Sequence, residues 1–306
     1  MIELFKGLKV DWLGKRKLFF SISMALLLVG MTSLVLKRGF EYGTDFKGGT
    51  VVVVRFKEPV RIEMIRELLP DANIQTIQSA AGAGSDFQIE LEQAVENEDA
   101  TIGRETVTKA LNTSFSGKFE IVGSDSVSAK VGADLRRQAV YATLFALAGI
   151  LVYIAMRFEW IYGAAAVFAV FHDALVTLGF FSLFNYEINL TVIAALLTLV
   201  GYSVNDTIVI FDRVRENLKT RRRDDLETIL NDSINQTFSR TILTSILTFL
   251  TVMALFLFGG EIINNFAFAM VIGIIVGSYS TVAVASPLVL IYANARKPRL
   301  AAAKGR

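Results

Sequence analysis

The chain has 306 residues, of which 53% are hydrophobic and 20% charged, with a mean hydropathy of +0.49. That is too apolar for one soluble core and too charged for lipid-embedded segments alone, so membrane spans alternating with polar segments are expected. The absence of cysteine and the single histidine, His172, exclude disulfides, thiolate sites and multi-histidine metal sites, and a net charge of +2 makes charge placement more informative than its total.

Residues 1–17 are a basic N-terminal segment ending in Lys15-Arg16-Lys17. Residues 18–36 form an apolar run about as long as a bilayer is thick. Lys37 and Arg38 follow it and no small-x-small cleavage site does, so it reads as an uncleaved first span. Residues 37–138 are mixed in charge and patterned like a soluble domain. The β-branched run 50–56, stopped by Pro59, reads as a strand. Apolar residues at helical spacing over 61–69 end at Pro70. Strands are expected at 74–78 and 87–91 around the turn-rich 80–85, then a helix over 101–111 and a strand at 119–122. The order βαββαβ predicts a ferredoxin-like α+β sandwich of one sheet backed by two helices.

Five further apolar runs, 139–156, 161–184, 188–211, 241–258 and 266–291, reach spanning length. The expected fold class is a polytopic α-helical membrane protein, with six transmembrane helices and an extracytoplasmic α+β domain between spans one and two. Lysine and arginine gather in residues 1–17, in the loop 212–240 and in the tail 292–306, and are missing from 185–187 and 259–265. By the positive-inside rule both termini and the 212–240 loop are cytoplasmic, and 37–138 is outside. Six spans return the chain to its starting side, which agrees.

Charged groups near mid-membrane cost about 2.5–3.5 kcal/mol each on insertion scales, so they mark protein- or water-facing positions. His172 and Asp173 in span three and Asp206 in span four qualify. Asp206 lies in Gly201-Tyr202-Ser203-Val204-Asn205-Asp206-Thr207, the most polar stretch of any span. Gly201 permits close helix approach. Ser203, Asn205 and Thr207 can hydrogen-bond either protonation state of a carboxyl group. Arg240, which opens span five at a similar depth, is the candidate partner of Asp206. An arginine keeps its proton, so Asp206 is the candidate carrier and Arg240 the bias. The residues alone support two readings equally: a proton-loaded switch, or a polar cluster fixing the register of spans four and five. For His172 and Asp173 the structural reading leads, because neighbouring helix positions project about 100° apart; Asp173 is also placed as a candidate member of the Asp206 cluster. Arg221-Arg222-Arg223 reads as an orientation signal and lipid-headgroup contact. The absence of a nucleophile–base pair in the spans and of a phosphate-binding GxxxxGK[ST] loop argues against an enzyme.

The stretch from Gly201 to Asn217, GYSVNDTIVIFDRVREN, closely resembles the fourth-span motif of the SecD/SecF protein-export family. Gly43-Thr44-Asp45-Phe46-Lys47-Gly48-Gly49-Thr50 resembles that family's glycine-paired motif after span one. Arg157-Phe158-Glu159-Trp160, His172-Asp173 and Val131-Gly132-Ala133-Asp134-Leu135 also match it, the last with Asp where Glu is common. The resemblance implies membership of the resistance-nodulation-division superfamily and residence in the bacterial inner membrane. It implies a separate SecD chain as partner, association with the SecYEG channel and with YajC and YidC, contact with membrane lipids, and an unfolded preprotein as substrate. No nucleic-acid partner, metal or organic cofactor is implied; protons are the coupling ion. It further implies functional roles for Asp206 and Arg240. Gly48 and Gly49, between anchor and first strand, are a candidate hinge for the external domain, or a tight turn feeding its sheet. A non-motor translocase scaffold and a small-molecule efflux transporter of the same superfamily are the competing functions.

Overall fold

The computed structural model describes residues 9–77, 85–92, 100–157 and 159–304. The turn-rich segment expected at 80–85 lies outside these residues except for Ser85. Among the described residues, six helices are long and apolar enough to cross a membrane. Span one is α1 (Arg16–Leu36), followed by a short turn of helix, α2 (Thr44–Lys47). The inserted domain then runs β1 (Gly49–Phe56), α3 (Ile62–Leu68), β2 (Asn73–Ile77), β3 (Asp86–Glu92), α4 (Ala100–Phe115) and β4 (Phe119–Val127). Spans two to five are α5 (Ala129–Arg157), α6 (Trp160–Phe184), α7 (Leu190–Thr220) and α8 (Leu226–Phe258). Span six is broken: α9 (Glu261–Ser280) passes through a π-helical turn (Thr281–Ala285) into α10 (Ser286–Lys304).

The βαββαβ reading holds. The sheet order is β2-β3-β1-β4 with every neighbouring pair antiparallel, the arrangement of a ferredoxin-like fold. Alternation along β1 sends Val52, Val54 and Phe56 into a core with Phe87 and Ile89 of β3 and with Ile65, Val107, Leu111 and Phe115 of the two helices. β4 is longer than expected because its second half, Gly123-Ser124-Asp125-Ser126, pairs along the sheet edge, where polar residues face water and hide the strand signal.

The domain stands on the polar turn between spans three and four. Ile188 N donates to Glu41 O at 2.8 Å and Gly43 N to Ile188 O at 3.0 Å, while Leu190 N donates to Asp45 Oδ2 at 3.0 Å. Gly48 and Gly49 both have positive φ, 84° and 155°. A Cβ on Gly49 would lie 2.4 Å from Leu91 O, and one on Gly132 of α5 would lie 3.0 Å from Phe46 O. The glycine pair thus turns the chain into β1 at a point wedged between β3 and the start of α5.

At the opposite, basic end, residues 212–240 are mainly a helical hairpin rather than the expected loop. α7 and α8 extend past the bilayer-length runs and only 221–225 connect them. Asn217 Nδ2 donates to Ser233 Oγ at 2.8 Å across the hairpin. The N-terminal segment docks on it: Trp12 N and Leu13 N donate to Asn231 Oδ1 at 3.0 Å, and Arg16 pairs with Glu227 at 2.8 Å.

Candidate functional site

Span four carries Asp206 into the bundle. The helix starts where the Asn189 side chain accepts from Val192 N at 3.0 Å, a conventional N-cap. Sixteen residues on from Leu190, Asp206 is only 2% exposed. Ser245 Oγ of span five donates to its Oδ2 at 3.4 Å, and Ser245 in turn shares a 2.8 Å hydrogen bond with Ser278 Oγ of span six. Arg240 is exposed. Among the described residues no ion pair joins it to Asp206, on which it acts only through space.

Asp173 is a second buried carboxylate, 1% exposed, on span three. Its Oδ2 accepts from Ser203 Oγ of span four at 2.6 Å and from Ser280 Oγ of span six at 2.8 Å. Its Oδ1 lies 3.0 Å from His172 Nδ1. The expected divergence of His172 and Asp173 is therefore corrected. The two backbone directions do diverge, yet both side chains are flexible enough to curl together inside the bundle.

Span six links both groups. Ser278 reaches the Ser245–Asp206 pair, Ser280 reaches Asp173, and Thr281 Oγ1 lies 3.1 Å from Thr207 Oγ1. The π-helical turn begins directly after Ser280. Its cause is Pro287, which has no N–H to give and whose ring excludes the carbonyl four residues earlier. The backbone N–H of Ser286 accordingly bonds to Thr281 O, five residues back.

The expected residues thus fall into separate places. Ser203 serves Asp173 and not Asp206, Thr207 serves span six and the Ser203 carbonyl, and Asn205 is exposed. Asp173 shares no direct hydrogen bond with Asp206 among the described residues. Gly201 makes no close approach, since nothing lies within 4 Å of a Cβ built there; it sits on the exposed face of α7 with Thr198 and Asn205. The tight crossings are elsewhere: Gly30 against Gly179, Gly273 against Leu199, and Gly277 against Ser203. Sequence reasoning missed Ser245, Ser278, Ser280 and Thr281. The signal was available as Gly277-Ser278-Tyr279-Ser280-Thr281, five small or hydroxyl-bearing residues interrupting an apolar run.

Chemically, each carboxyl group can hold or release a proton among hydroxyl groups able to donate or accept. No group of three or more metal-ligating side chains suited to a metal ion occurs among the described residues.

Residues 106–295 match the family described as protein export membrane protein SecD/SecF, C-terminal, and residues 33–60 match the SecD/SecF GG motif. The protein translocase subunit SecF of Calditerrivibrio nitroreducens is 41% identical over 304 residues, covering 97% of this chain and 98% of its own. That of Haemophilus influenzae is 42% identical over 276 residues, covering 90% and 83%. Among solved structures, the translocon-associated SecDF of Thermus thermophilus is similar at 34% identity with a TM-score of 0.80, covering 94% of this chain. A SecDF in a super-membrane-facing form is similar at 37% identity and a TM-score of 0.72, covering 96%. This chain spans about two fifths of the length of those SecDF chains, 39% and 40% respectively.

Proposed function

The chain belongs to the SecD/SecF family of protein-export membrane proteins, and from that membership we propose that it acts with a separate SecD chain to drive preproteins across the bacterial inner membrane using the proton-motive force. The observation that carries the coupling is Asp206, buried within span four with one hydroxyl partner, Ser245, and no ion pair among the described residues. A carboxyl group so placed is costly as an anion and inexpensive as an acid, so its charge follows proton supply.

One elementary charge crossing 100 mV is worth about 2.3 kcal/mol, enough to shift a two-state equilibrium by one to two decades. The inserted domain is the moving part in this reading. It lies outside, both termini and the 212–240 hairpin lie in the cytoplasm, and Gly48-Gly49 is its hinge. Arg240 biases Asp206 from span five. The exposed polar faces of α7 (Thr198, Gly201, Asn205) and α8 (Arg240, Thr244, Thr251) form the surface offered to SecD, since polar and small side chains mark helix–helix contacts in lipid. The SecYEG channel, YajC and YidC are the further partners, an unfolded preprotein is the cargo, and Arg222 and Arg223 meet anionic headgroups.

The test is Asp206→Asn in the full export assembly. Gradient-dependent export should be lost while the variant still co-purifies with SecD. Normal export kinetics in that variant would exclude proton coupling through Asp206.

A further inference from the structure

The proton-coupling reading uses Asp206 and leaves the His172–Asp173 pair without a role. Asp173 is as deeply buried as Asp206, and the pair is better furnished with partners. Asp173 is 1% and His172 4% exposed, and three helices meet around them. Two hydroxyls, from Ser203 and Ser280, and the imidazole Nδ1 all converge on one carboxyl group. The imidazole's other nitrogen, Nε2, is buried and has no hydrogen-bond partner among the described residues.

We propose that the His172–Asp173 pair is a second proton-binding site, distinct from Asp206, with His172 Nε2 as the atom that receives the proton.

The chemistry follows from the donors present. A carboxylate only accepts, so with Asp173 ionised the imidazole donates Nδ1–H to it, which leaves Nε2 as a bare lone pair. In that state the cluster carries one net negative charge inside the membrane. A proton arriving on Nε2 forms an N–H bond and gives an imidazolium beside the carboxylate, and the cluster becomes neutral. Burying a net charge is far more costly than burying a paired one, so the site gains from loading. Among the described residues no lysine or arginine forms an ion pair with Asp173 that would supply the balancing charge instead.

The other titratable groups on the packed elements are few. Span four brings Asp206 and Tyr202, with Asp212, Arg213, Arg215, Glu216 and Lys219 on its last turns toward the hairpin. Span six brings Tyr279, whose hydroxyl is turned to Phe19 O and Ser23 of span one. Tyr162 lies nearer the start of span three against Phe211. The basic residues of span one, Arg16, Lys17 and Lys37, lie at its two ends.

The site also has a means of being read. Ser280 is the last residue before the π-helical turn, and Ser278, two residues earlier, reaches the Asp206 cluster through Ser245. Single π-turns inside α-helices are frequent at functional sites. A change at Asp173 that releases or tightens Ser280 therefore acts on the same strand of span six that touches Asp206.

His172 is the only histidine in the chain, which gives a direct test that does not depend on export. The full chain, purified without a histidine tag, is labelled with 15N-histidine and studied by solid-state NMR in lipid vesicles between pH 5 and 9. The imidazole signals should titrate. In Asp173→Asn that titration should be displaced by at least one pH unit, a tenfold change in proton affinity. Should Asp173→Asn fail to accumulate, Ser280→Ala, which removes one hydroxyl, should displace it roughly threefold to tenfold in affinity. An imidazole signal unchanged across the range, or identical titration in the wild type and the variant measured, overturns the proposal. The inference rests on proton coupling as the chain's function, but the two fail separately. Normal export in Asp206→Asn removes the first reading without silencing His172, and a silent His172 removes this one while leaving the export defect.

Discussion

Gly30 of span one and Gly179 of span three meet backbone to backbone: a Cβ built on Gly30 would lie 2.7 Å from Gly179 Cα, and one built on Gly179 would lie 2.8 Å from Gly30 Cα. The contact is flanked by a 3.0 Å Ser33–Ser182 hydrogen bond and by Lys37, whose ammonium caps the last carbonyls of span three at Ser182. Span one is otherwise largely exposed, so this seam is its main attachment. Gly179→Ala should destabilise the fold by about 1–3 kcal/mol through overpacking. Gly201→Ala, on an open face, should be neutral or stabilising by up to about 1 kcal/mol from helix propensity. Thermal unfolding of both variants in the same detergent checks the contrast.

Ser245 is the only described side chain that hydrogen-bonds Asp206. Ser245→Ala should leave the fold intact and change the proton affinity of Asp206 by about twofold, the worth of roughly 0.5 kcal/mol for a hydrogen bond as long as 3.4 Å. The pH profile of gradient-dependent export should move correspondingly. An unchanged profile would mean that this hydroxyl does not act on the carrier.

In the inserted domain, Arg55 of β1 grips Asp86 of β3 through two nitrogens, at 3.0 and 2.8 Å. Arg55 is 44% exposed at its side chain and Asp86 only 6%. Arg55→Ala leaves the buried Asp86 carboxylate without its partner and should loosen the domain, whereas Asp86→Asn, which keeps an acceptor, should loosen it less. Susceptibility of the domain to limited proteolysis, measured on the full chain, reads the difference.

Asp11 holds the N-terminal segment to the hairpin, accepting from Gly14 N at 2.8 Å and from Asn231 Nδ2 at 2.9 Å. The Gly14 and Asn231 hydrogen bonds keep its carboxyl below the ordinary carboxylate range. A depressed folded value means the contribution is complete above the unfolded value, near pH 4, and is lost as pH falls through the folded one. Trp12, whose indole N–H donates to Asn235 at 2.9 Å, reports on the clasp. In a Trp160→Phe background its fluorescence should shift on acidification below about pH 4. Asp11→Asn should abolish the step.

The spans and the βαββαβ order were legible because both depend on periodicity, which survives in a single sequence. Asp206 and Asp173 were legible because a carboxylate in an apolar run stands out. Their partners were not. Serine and threonine lower hydropathy little, so Ser245, Ser278 and Ser280 vanish into windows averaged over a whole span. Which hydroxyl serves which carboxylate depends on helix rotation, and that misassigned Ser203 and Gly201. The length of β4 and the helical hairpin over 212–240 were obscured for a related reason: at an exposed edge or beyond the bilayer, polar residues are compatible with strand, helix or loop alike.

The position of β1 at the centre of its sheet sets an order of events during synthesis. β1 emerges directly after span one, but one of its two neighbours is β4, more than sixty residues later and immediately ahead of span two. Closing the loop between them is an entropic cost that local pairing cannot offset early. The domain therefore reaches its full sheet only after nearly all of it has been delivered to one side, when the next helix is already entering the bilayer. Until then β1, with four consecutive valines, has β3 as its one available partner, and its other edge stays open beside the membrane.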